Sequence, residues 1–398
     1  MRTLFLILLT IPCLAQAQIQ VANSNTRAFL QDIHFFDEHR GIAIGDSGTI
    51  IQSTNGGLDW SPVIAPTQED LRKMIFFDDS TGLAIGKQLL RTTDGGNRWS
   101  ILGTSLSRYL DIETLGDSTV YVSATDIGLI RSNDQGQTWD TLVPDNPNEE
   151  LGLLAFIDEQ TAYATSYGIA PNGSMLKTID GGYTWQRFSM NSGDDNTVLE
   201  VLEFFSVDTG YMAGWYNAYL AKTTNGGSDW TMGTNDDLQN GGQMTDVSFP
   251  SKKVHYACGW HNLILRSTDG GIRWYWIKPD LQPVQSFRGL FFLNDTLGWV
   301  VGSNGTILRL NTANTTVGIE PEQSLSTGTH IFPNPASGRW NLTLPEGEVL
   351  RRVSVFDVQG KRIMQGTKPE DIPALKPGRY VIQIETLTGT ASKVLVVE

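Results

Sequence analysis

Cysteine is nearly absent from this chain of 398 residues, with Cys13 and Cys258 the only two. That excludes a disulfide framework and a zinc site built on several cysteines. Positive charge is in deficit: Lys+Arg 29 against Asp+Glu 43 leaves a formal net charge of −14. Nucleic acid and anionic membranes select for basic surfaces, so neither is an expected partner. The five histidines, His34, His39, His255, His261 and His330, are scattered without mutual spacing. No metal-ligand spacing, phosphate loop or nucleophile elbow appears, and no cofactor or metal is expected. What the chain does have is 41 Gly, 11 Trp and 40% hydrophobic residues, a globular composition and neither a disordered nor a collagenous one.

Long apolar runs are also scarce. Leu4 to Leu14 is one, preceded by Arg2 and followed by Ala15-Gln16-Ala17. A spanning helix needs about 20 apolar residues, so this pattern reads as a secretory signal peptide over 1–17 and not as an uncleaved anchor. Pro12 stands where a lipoprotein signal has a small residue, which argues against a lipid at Cys13. The mature chain is expected to begin at Gln18, without a membrane span, and its single thiol suits an oxidising space.

The middle of the chain repeats. Six segments align, from Ser53-Thr54-Asn55-Gly56-Gly57-Leu58-Asp59-Trp60 through Thr92 to Trp99, Ser132 to Trp139, Thr178 to Trp185, Thr223 to Trp230 and Ser267 to Trp274. Their tryptophans lie 39, 40, 46, 45 and 44 residues apart, the period of a propeller blade. Each unit opens with an apolar strand such as Met74-Ile75-Phe76-Phe77, continues with a Gly-bounded strand such as Gly41-Ile42-Ala43-Ile44-Gly45, and ends in the turn and its Trp. A seventh unit, Gly298 to Arg309, lacks the Gly-Gly and the Trp. Four strands in each of seven units predict an all-β, seven-bladed β-propeller over 18–312, its last strand supplied by Ile19-Gln20-Val21.

In the turns, Gly57, Gly96, Gly136, Gly182, Gly227 and Gly271 allow a positive φ. Asn55, Asp94, Asp134, Asp180, Asn225 and Asp269 can fold a side-chain oxygen onto backbone N–H groups, and Trp60, Trp99, Trp139, Trp185, Trp230 and Trp274 can fill space between blades. These acids are therefore read as structural, since a carboxylate committed to N–H groups is a poor acid or base. The spacing Ser/Thr-x-Asp/Asn-x-Gly-x-x-Trp resembles the Asp-box or BNR repeat of sialidases, sortilin-type receptors and some glucanases. With the Gly-x-Ala-x-Gly stretch ahead of it, residues 24 to 312 most resemble the propellers of photosystem II stability and assembly factors. Nothing in the sequence implies a thylakoid.

Residues 313–329 lose the period and fill with Thr, Ser, Asn and Glu, as a linker does. Strand patterns resume at Ile331-Phe332-Pro333-Asn334-Pro335, Val353 to Arg362, Leu375 to Ile384 and Lys393 to Val397 and predict a small Ig-like β-sandwich over 330–398. These blocks resemble the type A C-terminal sorting domain of the type IX secretion system of Bacteroidetes. The resemblance implies the type IX machinery as a partner of residues 330–398, passage through the periplasm, and a final place outside the cell or on its outer surface.

Ligands of propellers sit at a mouth of the central channel, where turns between second and third strands converge with the connections between blades. Here those turns carry Lys87-Gln88, Asp126-Ile127, Tyr167 to Ser174, Trp215-Tyr216-Asn217, Trp260-His261-Asn262 and Ser303-Asn304. Trp215, Tyr216, Trp260 and His261 form the favoured contact cluster, offering apolar faces and polar edges to a glycan or peptide, unless the two tryptophans only fill blade packing. A second candidate is a basic column ahead of each turn: Arg91, Arg131, Lys177, Lys222, Arg266 and Arg309, interrupted by Gln52. It could recruit an anionic group, or its members could pair with motif acids or lie along the tryptophans. The acids of the connections, Glu69, Asp70, Glu149, Glu150, Asp194, Asp195, Asp236 and Asp237, single out no catalytic pair. A non-catalytic binding or assembly module is the expectation, with a secreted sialidase- or glucanase-like glycoside hydrolase as the alternative. Two carboxylates converging at the mouth near Trp215 and Trp260 would favour the hydrolase.

Overall fold

The computed structural model describes residues 18–102, 108–142, 150–167, 174–189, 199–214, 220–232, 243–313, 330–332, 340–344, 349–356, 362–386 and 390–397. The expected signal peptide over 1–17 lies outside them. The chain divides into two compact units, 1–315 and 316–398.

The first unit is built from seven four-stranded antiparallel sheets. Their innermost strands are Leu30–Phe35, Leu71–Phe76, Tyr109–Leu115, Glu150–Phe156, Leu199–Phe204, Met244–Ser248 and Phe287–Phe292. Each touches the next, and the seventh returns to touch the first, so the strands ring a central channel in the manner of a propeller. We number the sheets 1 to 7 in that order. Sheet 7 takes its outermost strand from the opposite end of the chain: Gln18–Val21 pairs with Ile307–Asn311, Gln18 facing Asn311 and Val21 facing Leu308. The missing strand of the degenerate unit is thus where the sequence placed it.

Glycine and phenylalanine explain the second strands. Phe35, Phe76, Phe204 and Phe292 close their inner strands with a large ring, and the glycine opposite each makes room for it. A Cβ at Gly41 would meet the Phe35 ring at 2.5 Å. The aromatic rings then join one sheet to the next. Tyr121 stacks on Phe156 at 3.5 Å, Tyr163 on Phe204 at 3.8 Å, Tyr256 on Phe292 at 3.4 Å and Trp299 on Phe35 at 3.4 Å. Each pair spans two neighbouring sheets, an arrangement worth about 1 kcal/mol beyond the area it buries.

The inner strands share one irregularity that positions the site. Near the start of six of them the register slips by one residue, leaving Gln31, Arg72, Leu110, Glu200, Thr245 and Arg288 as the extra residue of a β-bulge. A bulge re-aims its side chain. Here six side chains are redirected at the end of the channel where the second-to-third-strand turns lie.

The second unit has a four-stranded sheet in the order Arg362–Gly366, Leu350–Phe356, Gly378–Thr386, Thr390–Val397, and a two-stranded sheet of His330–Phe332 with Asn341–Thr343. Its core gathers Trp340, Val353, Val355, Ile372, Leu375, Ile382, Ile384, Leu395 and Val397.

Candidate functional site

The repeated turns satisfy themselves. In each, the Ser or Thr hydroxyl accepts the N–H of the glycine four residues on and donates to the Asp or Asn oxygen, as Ser132 does with Gly136 and Asp134. The Asp or Asn oxygen accepts the N–H four residues on, in Asn55, Asp94, Asp134, Asp180, Asn225 and Asp269 alike. The indole of Trp60, Trp99, Trp139, Trp185, Trp230 and Trp274 donates to the carbonyl of the glycine three residues before it at 2.9 to 3.1 Å. At Gly57 the φ is +81°, and a Cβ there would lie 2.6 Å from Trp299 Nε1, so only glycine fits. Asp134 is held below the usual carboxylate range, chiefly by the Thr138 hydroxyl.

The basic column lies in the joints between sheets. Arg91 Nε donates to the Gln135 carbonyl at 3.0 Å and Lys222 Nζ to the Gly270 carbonyl at 3.3 Å, each carbonyl belonging to the turn of the following sheet. Gln52, which breaks the series, does the same to Gly95 at 3.1 Å. Lys177, Lys222 and Arg266 lie over Tyr163, Tyr211 and Tyr256, their register partners on the strand beside them. Arg131 is likewise the register partner of Tyr121, and Arg309 Nη1 reaches Gln20 Oε1 at 3.3 Å. Tyrosines and carbonyls of the next turn thus take the place of the motif acids and tryptophans expected as partners. Sequence reasoning missed this because the partner carbonyl lies about one repeat further along the chain.

Of the favoured contact cluster, Trp215 and Tyr216 lie outside the described residues. Trp260 is partly buried, and its backbone N–H donates to Gln243. His261 is exposed at φ +60°. Among the acids of the connections, Glu69 pairs with Lys87 at 2.8 Å, and Asp70 accepts the Ser47 N–H at 2.9 Å. Glu150 begins an inner strand. Glu149, Asp194, Asp195, Asp236 and Asp237 lie outside the described residues. Cys258 is fully buried, and desolvation pushes its thiol well up, as befits a small core residue.

The channel wall carries the groups the sequence reading passed over. Asp32 accepts the N–H of Met74, Asp111 that of Leu154 and Asp246 that of Leu290, at 2.7 to 2.8 Å. Each carboxylate therefore ties its sheet to the next. Lys73 pairs with Asp111 at 2.6 Å. Desolvation would lower the Lys73 ammonium, but Asp111, Glu113 and Glu203 together raise it. Burial raises Glu113 and Glu203, pushes Asp32 up to about 6, and with the neighbouring Asp32 charge pushes Asp246 up to about 8. Burial lowers His34 and His255 to about 4.

These shifts have a consequence for stability. The two histidines are neutral in the folded protein above pH 6.5 and, titrating near 6.5 only when unfolded, add a small opposing rise, whereas Asp246 loses its folded-state proton only near 8. An acid held above its unfolded value contributes stability that is present at low pH and lost as pH rises through the folded value. Melting temperature is expected to fall between pH 6.5 and 8.5, by the equivalent of about 1 kcal/mol net of the histidines, and Asp246→Asn should abolish that fall. Differential scanning calorimetry across that window decides it; an identical slope in the variant would contradict it.

At the bulge end of the channel the charge reverses. Arg288 Nη1 meets Glu200 Oε2 at 3.3 Å, with the two side chains 24% and 26% exposed. Arg72 is lowered first by desolvation and then by the like charges of Arg108 and Arg288, against the pull of Asp70 and Asp46. Among the described residues Arg72 has no ion-pair partner. Two bulge arginines, Arg72 and Arg288, thus stand at one mouth of an acidic protein, and the charge of Arg108 reaches Arg72 there. A shallow concavity of about 420 Å³ opens at the same end, lined by Asn23, Asn25, Arg27 and Asn304 among others. Among the described residues no group of three or more His, Cys, Asp or Glu is placed to hold a metal, and no helix is long and apolar enough to cross a membrane.

Comparison with known proteins agrees with this architecture. Residues 11–152 match the family model described as photosynthesis system II assembly factor YCF48, and residues 330–398 match the secretion system C-terminal sorting domain. A curated relative, photosystem II assembly lipoprotein Ycf48 of Synechococcus sp. (strain CC9902), is 30% identical over 145 residues, 34% of this chain and 43% of that protein. The chain thus spans less than half the length of that relative. Among solved structures, YCF48 bound to D1 peptide superposes with a TM-score of 0.60 at 21% identity, covering 76% of this chain and 100% of that one. PorZ, a bacterial surface component of the type IX secretion system of Porphyromonas gingivalis, gives 0.54 at 12% identity, covering 95% of this chain and 60% of that one. At these identities the structures share the fold. The chain therefore joins a YCF48-like Asp-box propeller to a sorting domain that marks it for export to the cell surface or beyond.

Proposed function

We propose that this protein is a non-catalytic binding module, a seven-bladed propeller delivered by the type IX secretion machinery. It captures an extracellular peptide or protein segment through carboxylate groups at the arginine-lined mouth. In this reading residues 1–17 are a cleaved signal peptide, 18–312 the propeller, 313–329 a linker and 330–398 an Ig-like sorting domain. One observation carries it: the bulges place Arg72 and Arg288 at the channel mouth of a protein whose net charge is −14, and Arg72 feels the like charges of Arg288 and Arg108 there. Repulsion of that kind is relieved by an anion, and a guanidinium fork matches a carboxylate. That a YCF48 neighbour is bound to a peptide supports the choice of ligand class. The hydrolase alternative asks for two free carboxylates at the mouth, whereas Glu200, the acid at a bulge position there, is paired with Arg288.

Isothermal titration of the full-length protein with Ac-Ala-Ala-Ala-Glu ending in a free carboxylate, and with the analogue whose two carboxylates are both amides, tests the reading. The free acid should bind, and Arg72→Gln should weaken it about tenfold or more. Equal binding of acid and amide, or turnover of glycan substrates, would overturn it.

A further inference from the structure

The arginines are not the whole of the mouth. The six bulge residues stand at one level of the channel, one from each of six sheets, and each has a different fate. Gln31 is held by Asp46 at 2.7 Å. Leu110 is apolar. Thr245 is pulled to the wall, its hydroxyl donating to the Phe287 carbonyl at 2.9 Å. That leaves Arg72 on sheet 2, Arg288 on sheet 7 and Glu200 on sheet 5. Sheet 6 stands between sheets 5 and 7, and the shortness and engagement of Thr245 let the Glu200 to Arg288 pair reach past it. Glu200 is thus the only acid among these six residues, set against two of the three arginines, and it feels the charge of both.

The pair is unlike a packing joint of the Asp111 kind. Asp111 is buried, accepts a backbone N–H of the next strand and pairs with Lys73. Among the described residues Glu200 hydrogen-bonds to Arg288 alone, and its carboxylate stays partly open to the mouth. A carboxylate in that position has the chemistry of the ligand proposed above and occupies one of its two anchoring points.

On the basis of that reading, we infer that Glu200 is an internal counter-ion that sets specificity: it holds Arg288 as a ligand carboxylate would and must be displaced for binding. A ligand with a single carboxylate can settle on Arg72 and Arg108 but has no second group with which to win Arg288 from Glu200. A ligand with two neighbouring carboxylates, as on a C-terminal Glu or Asp, can take Arg288 with one group and Arg72 and Arg108 with the other. The mouth then selects a dianionic chain end over a monoanionic one, and Glu200 supplies the discrimination by holding Arg288 against any ligand that cannot also keep Arg72 and Arg108.

The test uses the full-length protein and three probes: Ac-Ala-Ala-Ala-Glu and Ac-Ala-Ala-Ala-Gln with free C-termini, and the amide of the second. Wild type should prefer the dianion to the monoanion by about tenfold or more. Glu200→Gln, close in shape but neutral, should tighten the monoanion by about the same factor and so narrow the preference. Glu200→Asp, whose carboxylate falls short of Arg288, should act in the same direction, which keeps the test open if one variant folds poorly. Unchanged or weaker monoanion binding in both folded variants would overturn the role of Glu200 while leaving the arginine mouth intact. Failure of every probe to bind wild type and variants alike would overturn the role and the binding reading together.

Discussion

Deletion of residues 18–24 is expected to lower the melting temperature of the propeller by about 6 °C, the equivalent of about 4 kcal/mol in a domain of this size. Four register pairs join Gln18–Val21 to Ile307–Asn311, and the Ala22 N–H continues the ladder to the Ile307 carbonyl. Ile19 packs on a core cluster shared by sheets 6 and 7. Asn23 bridges to Asp59 and accepts the Trp60 N–H at 3.1 Å, so the same segment also fastens sheet 7 to the turn of sheet 1. Removal would leave a bare strand edge at the one seam where the ring is closed by the two ends of the domain. Circular dichroism melts of the truncated and intact proteins check this. An unchanged melting temperature would mean the closing strand is dispensable.

Trp299→Ala should destabilise the same seam by about 4 kcal/mol, as expected for emptying a large, fully enclosed aromatic site. Its ring lies 3.4 Å from Phe35 at an interplanar angle of 5°, and its Nε1 donates to the Gly56 carbonyl at 2.9 Å. Tyrosines occupy the matching register at Tyr121, Tyr163, Tyr211 and Tyr256, and Tyr211 donates to the Gly270 carbonyl of the next turn much as Trp299 does to Gly56. Trp299→Tyr should therefore recover most of the loss. Urea unfolding of both variants separates the outcomes. Equal stability of Ala and Tyr at this position would refute the stacking account.

The ring was legible because its determinants are local. The Ser/Thr, Asp/Asn, Gly and Trp of each turn bond within eight residues, so their spacing alone declares the unit, and the incomplete seventh unit points to a strand from elsewhere. The mouth was legible as a place, through turns such as Asp126-Ile127 and Ser303-Asn304, but its charged groups were not. Arg72, Glu200 and Arg288 stand inside strands that read as alternating apolar runs, and the one-residue slip that turns them into the mouth is a feature of pairing with the second strand. A charged residue directly after the first buried apolar residue of a unit, as in Leu71-Arg72 and Phe287-Arg288, was the available signal. The basic column failed to reveal its role for the opposite reason. Its partners are carbonyls, which every residue has, on a neighbouring sheet.

The most direct test of the binding mouth is a titration followed by NMR at the guanidinium Nε–H groups, with Ac-Ala-Ala-Ala-Glu added to the full-length protein. Shifts should concentrate at Arg72, Arg108 and Arg288 and vanish when the peptide's two carboxylates are replaced by amides. Shifts confined to Arg91, Arg131, Arg266 and Arg309 in the joints between sheets, or insensitive to loss of the carboxylates, would contradict it.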